Sequence, residues 1–363
     1  MTEELQLKKN FYTLGHSNLR VSPICLGTMN MAIDNSDAAW FKDEKTSRGI
    51  LDTYVKQGGN FLDTANLYTG GQSERVVGKY LKEEGIRDDI VLATKFTGKE
   101  RQNPNHLGNG RKNLVKSVEA SLERLGTDYI DLLYLHFWDE LSTPEEVMRS
   151  LDILVQSGKV NYVGLSDCPA WFVSRCQSLS MQHGYERIAA MQLEYNLIER
   201  NIEMEYFDMA KYYDTAIIPW SPLAGGFLTG KQTKEKLQGR VATGTWKGFE
   251  RSEKRWEILD TLKEVAAEIK KTPVEVALNW TLKRPTISSV IIGASSIEQL
   301  DANLKSITFT IPEAQTKKLN DVSKPYRAAP YTFFEKGSSV KAMTYGDKLV
   351  VEKHPKWWHG DNQ

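Results

Sequence analysis

The sequence lacks both an excess of either charge and a long apolar segment. Lysine plus arginine and aspartate plus glutamate each total 47 among 363 residues, so the formal net charge is zero. This balance excludes the strong field by which basic proteins attract nucleic acid or an anionic membrane surface. No apolar run approaches the roughly 18 residues of a membrane-spanning helix, and the charged N-terminus has no apolar core of signal-peptide length. We therefore expect a cytoplasmic protein without nucleic-acid or membrane partners.

Cysteine is scarce, and a common cofactor motif is missing. Cys25, Cys168 and Cys176 are odd in number and show no metal-ligand spacing, so neither a disulfide framework nor a zinc site is expected. We expect no metal at the functional site. No Gly-x-Gly-x-x-Gly follows a first strand, so the Rossmann dinucleotide-binding fingerprint is missing as well.

What is present is an alternation of short apolar or β-branched runs with helix-length amphipathic stretches. Repeated βα units of this kind build a parallel sheet, and the length suits one barrel with insertions. The sequence thus predicts an α/β fold, a single (β/α)8 TIM barrel over residues 1–363 with its core at about 11–322. Strands are expected at 22–28, 60–65, 90–96, 130–137, 160–166, 189–195, 215–221 and 289–293. Helices are expected near 45–57, 72–84, 112–125, 143–157, 169–182, 203–213, 252–282 with a break at Pro273, and 296–305.

Three segments depart from this alternation. Residues 11–22 have the two-sided pattern of a β-hairpin, which would plug the N-terminal end of the barrel. Residues 223–251 form a long glycine-rich loop after strand 7, and residues 323–363 form an extended C-terminal tail with several aromatic residues. Loops this long usually serve the site or are disordered, and the aromatic rings of the tail argue against full disorder.

Four polar residues lie at or just beyond the ends of predicted strands. Asp63, Lys95 and His136 each close such a run, and Tyr68 follows Asp63 closely. Because the C-terminal ends of barrel strands surround one mouth, we expect these side chains to lie together. Taken singly, Tyr68 could be loop packing, His136 a core histidine and Asp63 a helix N-cap. Lys95 is harder to explain in that way, because a buried lysine without a partner costs energy.

The combination favours proton transfer to a carbonyl oxygen. A free tyrosine has a pKa of about 10, and a nearby lysine ammonium lowers it by favouring the phenolate. Asp63 would keep Lys95 charged, Tyr68 would act as the general acid, and His136 would hydrogen-bond the substrate oxygen. The set contains no good nucleophile or metal cluster, so a nicotinamide cofactor is the simplest source of electrons. A barrel glycoside hydrolase that uses paired carboxylates such as Glu194 and Asp139 remains an alternative.

The motifs around these residues resemble the aldo-keto reductase superfamily, in particular the branch similar to fungal aryl-alcohol dehydrogenases. They are PheLeuAspThrAlaAsnLeuTyr at 61–68 with the GlyGlyGlnSerGluArgValValGlyLysTyrLeu that follows, AlaThrLysPhe at 93–96 and LeuTyrLeuHis at 133–136. The resemblance covers about residues 11–322. It implies a catalytic tetrad of Asp63, Tyr68, Lys95 and His136, and NADPH-dependent, reversible reduction of an aldehyde or ketone.

The resemblance also implies a cofactor site across the mouth of the barrel. It assigns Thr28 and Met29 to the edge of the nicotinamide pocket together with Asp63, and Ser166, Asp167 and Gln192 to the carboxamide. Trp220 would stack on the nicotinamide, while Ser221, Leu223, Gly225 and Lys231 would hold the pyrophosphate, and Gly293, Ser295, Gln299 and Asn303 the adenosine. Relatives often carry an arginine where this chain has Ser295, and such an arginine suits a 2′-phosphate. NADP(H) is expected as the cofactor, with NAD(H) as the alternative.

The substrate is the least determined part of this interpretation. Tyr68, His136 and Trp138 are expected to contact it, and Trp40, Trp246 and Phe249 are further aromatic residues in segments at the mouth. Aromatic side chains favour a flat or apolar carbonyl compound such as an aryl aldehyde. An aliphatic aldehyde, a sugar or a secondary-metabolite ketone remain open, as does the oligomeric state. A cofactor-binding regulatory subunit related to potassium-channel β subunits is the alternative function.

Overall fold

A ring of eight parallel strands forms the centre of the fold. The computed structural model describes residue 7, residues 10–33, 41–98, 103–242 and 251–334, and residue 343, and all elements named below belong to these ranges. Two short strands, β1 (Tyr12–Thr13) and β2 (Arg20–Val21), precede the ring. The ring consists of β3 (Ile24–Gly27), β4 (Phe61–Asp63), β5 (Val91–Phe96), β6 (Ile130–Leu135), β7 (Val160–Ser166), β8 (Ile188–Glu194), β9 (Ala216–Trp220) and β10 (Val290–Ile292).

The ring is nearly closed. The strands are ordered β10-β3-β4-β5-β6-β7-β8-β9, so the last strand returns to pair with the first strand of the ring. Between β9 and β10 one bridge joins Ile217 and Ile287, and the backbone N–H of Ile217 donates to Thr286 O at 2.9 Å. This arrangement confirms the predicted (β/α)8 barrel. Each strand overlaps the run predicted for it, with ends that differ by two residues or fewer.

Helices connect the strands and cover the outside of the barrel. Those in the described ranges are α1 (Glu44–Lys56), α2 (Gln72–Glu84), α3 (Arg111–Leu125), α4 (Pro144–Gln156), α5 (Ala170–His183), α6 (Tyr206–Tyr213), α7 (Glu253–Glu268), α8 (Pro273–Leu282), α9 (Ile297–Leu304) and α10 (Glu313–Val322). The break predicted at Pro273 is confirmed, because Thr272 and Glu275 form a capping box that starts α8. Helix α10 was not predicted from the sequence. Its apolar pattern is weak, since Leu319 is its one buried residue.

The N-terminal hairpin closes the bottom of the barrel. β1 and β2 pair antiparallel, and the turn between them contains Gly15 with a φ of 57°. A Cβ on Gly15 would lie 2.6 Å from Asp214 O and 2.7 Å from Ala189 O, at the N-terminal ends of β8 and β9. Only glycine combines this backbone conformation with so close an approach. The predicted hairpin is therefore present, and its turn packs against the start of the strands.

The interior of the barrel changes from apolar to polar along its axis. Leu14 and Val21 of the hairpin join Val91, Ala93 and residues of the neighbouring strands in an apolar cluster inside the ring. Side chains of a strand alternate between its two faces, so Lys95 points inward two residues after Ala93. The apolar layer thus lies at the bottom, and the polar side chains lie at the C-terminal mouth.

The long loop and the tail are described in part. After β9 the chain forms 3-10 helices at Ala224–Thr229 and Gly239–Val241, and after α10 another at Tyr331–Phe334, where the Tyr331 hydroxyl donates to Glu205. The aromatic residues Trp40, Trp246 and Phe249, and most of the tail, lie outside the described residues. Within the described ranges no helix is long and apolar enough to cross a membrane. The same ranges hold no cluster of three or more His, Cys, Asp or Glu residues suited to a metal ion.

The close packing of α2 on α3 yields a stability prediction. A Cβ on Gly78 would lie 2.2 Å from Leu125 O, whereas one on Gly49 in α1 would approach only Ile297 Cδ1 at 3.4 Å. We expect Gly78→Ala to lower the free energy of unfolding by about 1–3 kcal/mol, because the backbone of α3 must shift. Gly49→Ala, the matched control, should raise it by up to about 1 kcal/mol through helix propensity. Urea denaturation measures both, and equal effects would contradict the packing argument.

Candidate active site

The buried ammonium of Lys95 is the centre of the polar mouth. Its Nζ donates to Asp63 Oδ1 at 2.5 Å, to the carbonyl oxygen of Thr64 at 2.8 Å and to the Tyr68 hydroxyl at 3.1 Å. The Lys95 side chain has no solvent-exposed surface. Its three N–H donors therefore have three partners, and the ion pair with Asp63 offsets the cost of burying the charge.

Asp63 is held from both sides of the barrel. Its second oxygen, Oδ2, accepts a hydrogen bond from Gln192 Nε2 at 2.8 Å, which links the end of β4 to β8. The backbone oxygen of Asp63 accepts from the buried hydroxyl of Thr28 at 3.0 Å, and the same hydroxyl contacts Ser73 Oγ at 2.7 Å. Thr28 therefore supports the strand end from within, while the neighbouring Met29 is 37% exposed at the mouth.

Burial and neighbouring charges shift the pKa values of Lys95 and Tyr68 in opposite directions. Burial disfavours the charged form of Lys95, but the attraction of Asp63 and Tyr68 outweighs it, so the pKa of Lys95 lies above its ordinary value. Burial raises the pKa of Tyr68, and Lys95 lowers it by a smaller amount. The net direction for Tyr68 is upward, contrary to the decrease that the sequence analysis expected. The phenol is consequently protonated at neutral pH and able to donate.

His136 faces Tyr68 across the mouth as a neutral imidazole. The two rings are edge to face, with centroids 5.7 Å apart, and Phe137 stacks on the imidazole at 3.9 Å. Burial, and then the charge of Lys95, hold the pKa of His136 well below its usual range. Among the described residues, the buried Nδ1 of His136 has no hydrogen-bond partner. An N–H without an acceptor costs more than a free lone pair, which favours the tautomer with its proton on Nε2.

Two residues that the sequence analysis missed hold the backbone of this segment. Thr97, two residues after Lys95, accepts from the backbone N–H of His136 at 3.1 Å and donates to Asn109 Oδ1 at 2.5 Å. The Asn109 side chain in turn donates to Phe137 O at 2.8 Å. Thr97 also has a φ of 95°, a conformation that costs a β-branched residue about 1–3 kcal/mol. No motif in the sequence marks either residue.

Trp220 and Asp167 form a pair at the ends of β9 and β7. The indole Nε1–H of Trp220 donates to Asp167 Oδ1 at 3.0 Å, which fixes the orientation of a partly exposed ring. Ser166 pairs with Gln192 in the register of β7 and β8, so the ends of three adjacent strands carry these side chains. The indole face offers an aromatic surface beside the tetrad, as stacking on a nicotinamide requires.

The segment after β9 is a tight turn in which several residues have a positive φ. Ser221, Ala224, Gly225 and Gly226 have φ values of 53°, 49°, 65° and 100°. The backbone N–H groups of this turn have partners within it, because that of Ala224 donates to Ser221 O and that of Gly226 to Leu223 O, each at 2.9 Å. Ser221 Oγ accepts from the backbone N–H of Gly225 at 3.2 Å, and a Cβ on Gly226 would meet no atom within 4 Å. Leu223 is partly buried beside this segment and Lys231 is exposed at its end.

The start of α9 provides an open surface with local caps. Gly293 is exposed, and a Cβ on it would meet no atom within 4 Å. Ser296 caps α9, and Gln299 Oε1 accepts from the backbone N–H of Ser295 at 2.9 Å. The buried Asn303 donates from Nδ2 to Gly293 O at 3.4 Å. Gln299 and Asn303 thus shape the turn before α9, and Ser295 lies partly exposed within it.

Trp138 and Asp139 have different environments. Trp138 packs edge to face against Trp171 at 5.8 Å, on the side of the mouth formed by β6 and β7. Asp139 Oδ2 accepts from the backbone N–H of Asn109 at 2.8 Å and from Ser142 Oγ at 2.9 Å, and Oδ1 accepts from the backbone N–H of Ser142 at 2.9 Å. A carboxylate occupied in this way anchors its loop, which disfavours the glycoside hydrolase alternative.

Comparisons with known proteins agree with this geometry. The model of the Aldo/keto reductase family matches residues 23–324. A norsolorinic acid reductase of Aspergillus flavus is 34% identical over 311 residues, which are 84% of this chain and 78% of the relative. An aryl-alcohol dehydrogenase [NADP(+)] of Phanerodontia chrysosporium is 33% identical over 354 residues, or 92% of each chain. The norsolorinic acid reductase of Emericella nidulans is 36% identical over 311 residues, 84% of this chain and 79% of its own.

The neutral state of His136 predicts a pH dependence of stability. Its pKa is depressed in the folded protein, so below about pH 6.5 the unfolded chain binds a proton that the folded protein excludes. His136 therefore weakens the fold as the pH falls through this range. Between pH 7.5 and 5 the wild type should lose about 2 kcal/mol more unfolding free energy than His136→Gln. Urea denaturation at each pH checks this, and parallel pH curves for the two proteins would refute it.

Proposed function

The chain belongs to the aldo/keto reductase family of oxidoreductases, and from this premise we propose that it reversibly reduces an aldehyde or ketone to the alcohol, with hydride from NADPH and the proton from Tyr68. The observation that carries the proposal is the buried Lys95 ammonium, which joins Asp63 to the Tyr68 hydroxyl. A buried lysine whose third donor reaches a phenol has little structural use, but it stabilises the phenolate that proton donation leaves behind.

The tetrad residues have separate tasks in the proposed reaction. The substrate carbonyl oxygen accepts hydrogen bonds from the Tyr68 hydroxyl and from Nε2–H of His136, which together polarise the carbonyl. A bound nicotinamide supplies the hydride to the carbonyl carbon. As negative charge develops on the oxygen, Tyr68 transfers its proton, and the ammonium of Lys95 stabilises the resulting phenolate. Asp63 keeps that ammonium charged and fixed throughout.

The described residues fit a nicotinamide dinucleotide. The partly exposed Trp220, held by Asp167, offers a stacking face, and the open backbone at Gly226 and Gly293 leaves room for a ligand. Besides these, we assign Thr28, Met29, Asp63, Ser166 and Gln192 to the nicotinamide end, Ser221, Leu223, Gly225 and Lys231 to the pyrophosphate, and Ser295, Gln299 and Asn303 to the adenosine. NADP(H) is our first choice because one relative carries that cofactor in its name. NAD(H) is the alternative, because Ser295 stands where relatives often carry an arginine suited to the 2′-phosphate of NADP(H).

The mouth favours an aromatic or otherwise flat carbonyl substrate. The segments that follow β3 to β7 expose apolar side chains, namely Met29, Leu67, Leu107, Phe137 and Trp171. Phe137 is 41% exposed and lies against His136, so a flat substrate could extend over it while its carbonyl reaches Tyr68. Trp138 would support this surface from behind. Cys25, Cys168 and Cys176 are buried free thiols, which suits the cytoplasmic location that we propose.

The proton donor can be tested by one hydroxyl deletion. Tyr68→Phe should lower kcat by about 10²–10⁴-fold, because the general acid is lost, while the Kd for NADPH changes by less than about twofold. Stopped-flow NADPH oxidation with an aryl aldehyde measures the rate. Tyr54→Phe is the matched control, because the buried Tyr54 hydroxyl donates to Ile24 O at 2.6 Å at the opposite end of the barrel. It should lower stability and leave kcat within about twofold. A Tyr68→Phe enzyme with most of its activity would sink the assignment.

Cofactor choice can be tested at Ser295. Ser295→Arg should favour NADPH over NADH by about 10–100-fold in the Kd ratio, since a guanidinium can pair two oxygens of the 2′-phosphate. Gln182→Arg adds the same charge at an exposed position of α5 and should leave the Kd ratio of the two cofactors unchanged. Fluorescence titration with both cofactors provides the measurement. If Ser295→Arg changes both affinities equally, this segment does not contact the 2′-position.

A further inference from the structure

The strained backbone of Thr97 lies between the strand of Lys95 and the strand of His136. Thr97 directly follows β5, and its φ of 95° is a conformation that β-branched residues avoid. A conformation of this kind persists only where the surrounding structure determines it, and such positions concentrate at functional sites. Thr97 O accepts from the backbone N–H of Gly108 at 3.1 Å, which is one of the contacts that hold it.

The hydroxyl of Thr97 makes two hydrogen bonds, one as acceptor and one as donor. It accepts from the backbone N–H of His136 at 3.1 Å, so its own proton must go to Asn109 Oδ1 at 2.5 Å. Asn109 then has its Nδ2 group free to donate to Phe137 O at 2.8 Å. The two side chains thereby hold the backbone N–H of His136 and the backbone C=O of Phe137. Asn109 is fully buried and Thr97 is nearly so.

The imidazole of His136 depends on this backbone for its orientation. A functional histidine is usually oriented by a hydrogen bond at the ring nitrogen that does not face the substrate. In the described part of the chain, Nδ1 of His136 has no such partner. Its ring contacts are the stacked ring of Phe137, with centroids 3.9 Å apart and planes at 14°, and the edge-to-face ring of Tyr68. The position of the His136 and Phe137 rings follows from the backbone that Thr97 and Asn109 hold.

We propose that Thr97 and Asn109 are positioning residues, which set the imidazole of His136 and the stacked ring of Phe137 against Tyr68. Neither touches the reacting atoms. They replace the hydrogen bond that His136 Nδ1 lacks. The assignment rests on the proposed carbonyl reduction, because the geometry being set is that of His136 and Tyr68 around a substrate oxygen. It also ties the ends of β5 and β6 together, so Lys95 and His136 keep a constant separation.

Isosteric substitutions separate the hydroxyl from the shape of Thr97. Thr97→Val keeps the volume and the branched side chain but leaves the N–H of His136 and Oδ1 of Asn109 unpaired. Thr97→Ser keeps the hydroxyl. We expect Thr97→Val to lower kcat by about 10–100-fold, the effect of displacing a catalytic group by about 1 Å, and Thr97→Ser to stay within about threefold of the wild type. Asn109→Ala should resemble Thr97→Val. The Kd for NADPH should change by less than about twofold in all three.

Asn279→Ala supplies the control for a general loss of stability. Asn279 on α8 is 1% exposed, and its Nδ2 donates to Ser306 O and Phe309 O at 2.7 Å each, outside the barrel. Its loss should lower the thermal midpoint as much as Asn109→Ala does. At a temperature well below both midpoints, kcat of Asn279→Ala should remain within about twofold of the wild type. Equal losses of kcat in Asn109→Ala and Asn279→Ala would overturn the positioning role.

A readout independent of turnover distinguishes this proposal from the proposed function. Nuclear magnetic resonance of histidine-labelled protein, with the His136 signal assigned through His136→Gln, reports on the imidazole itself. The signal should shift in Thr97→Val and Asn109→Ala, and stay unchanged in Thr97→Ser and Asn279→Ala. An unchanged His136 signal in Thr97→Val refutes the positioning role. A shifted signal in a protein that reduces no aldehyde or ketone would leave the positioning intact and refute carbonyl reduction.

Discussion

The buried ion pair between Lys95 and Asp63 is the constraint on which the rest of the mouth depends. A lysine with no exposed surface keeps its charge only because a carboxylate lies 2.5 Å away and two further oxygens accept its remaining protons. Buried ion pairs are seldom retained for stability, since apolar residues of similar size often serve the fold as well or better. Under the proposed function the pair serves the phenol of Tyr68, because the Lys95 ammonium would stabilise the phenolate. Gln192 and Thr28 then serve to keep Asp63 in place.

The mouth divides into two sides around that pair. The loops after β9 and β10 have open backbone at Gly226 and Gly293, and the partly exposed Trp220 ends β9, which leaves room for an extended cofactor. Loops after β3 to β7 expose apolar side chains such as Met29 and Phe137, which suits an uncharged substrate. The tetrad lies between these sides. Substitutions in one set of loops can thus change the specificity for one ligand while the residues at the strand ends stay the same.

The fold and the proximity of Asp63, Tyr68, Lys95 and His136 could be predicted because both follow from rules that act along the chain. Eight alternating runs predict the barrel, and strand-end residues of matched chemistry predict the mouth, whereas α10 was missed because Leu319 is its one buried side chain. The conformation and contacts of Thr97 could not be predicted, since a β-branched residue argues against the positive φ that it adopts. The net pKa of Tyr68 also depends on the depth of burial. Sequence reports the neighbours of a residue along the chain but not how deeply it lies.

The hairpin at the bottom of the barrel restricts how ligands can enter and leave. The turn at Gly15 packs directly on the backbone at the start of β8 and β9, and the apolar cluster above it fills the interior. The described barrel is therefore closed at its N-terminal end, and ligands can reach its interior only from the mouth. Under the proposed function, cofactor and substrate would share this opening, so the ligand that lies deeper would have to bind first and dissociate last.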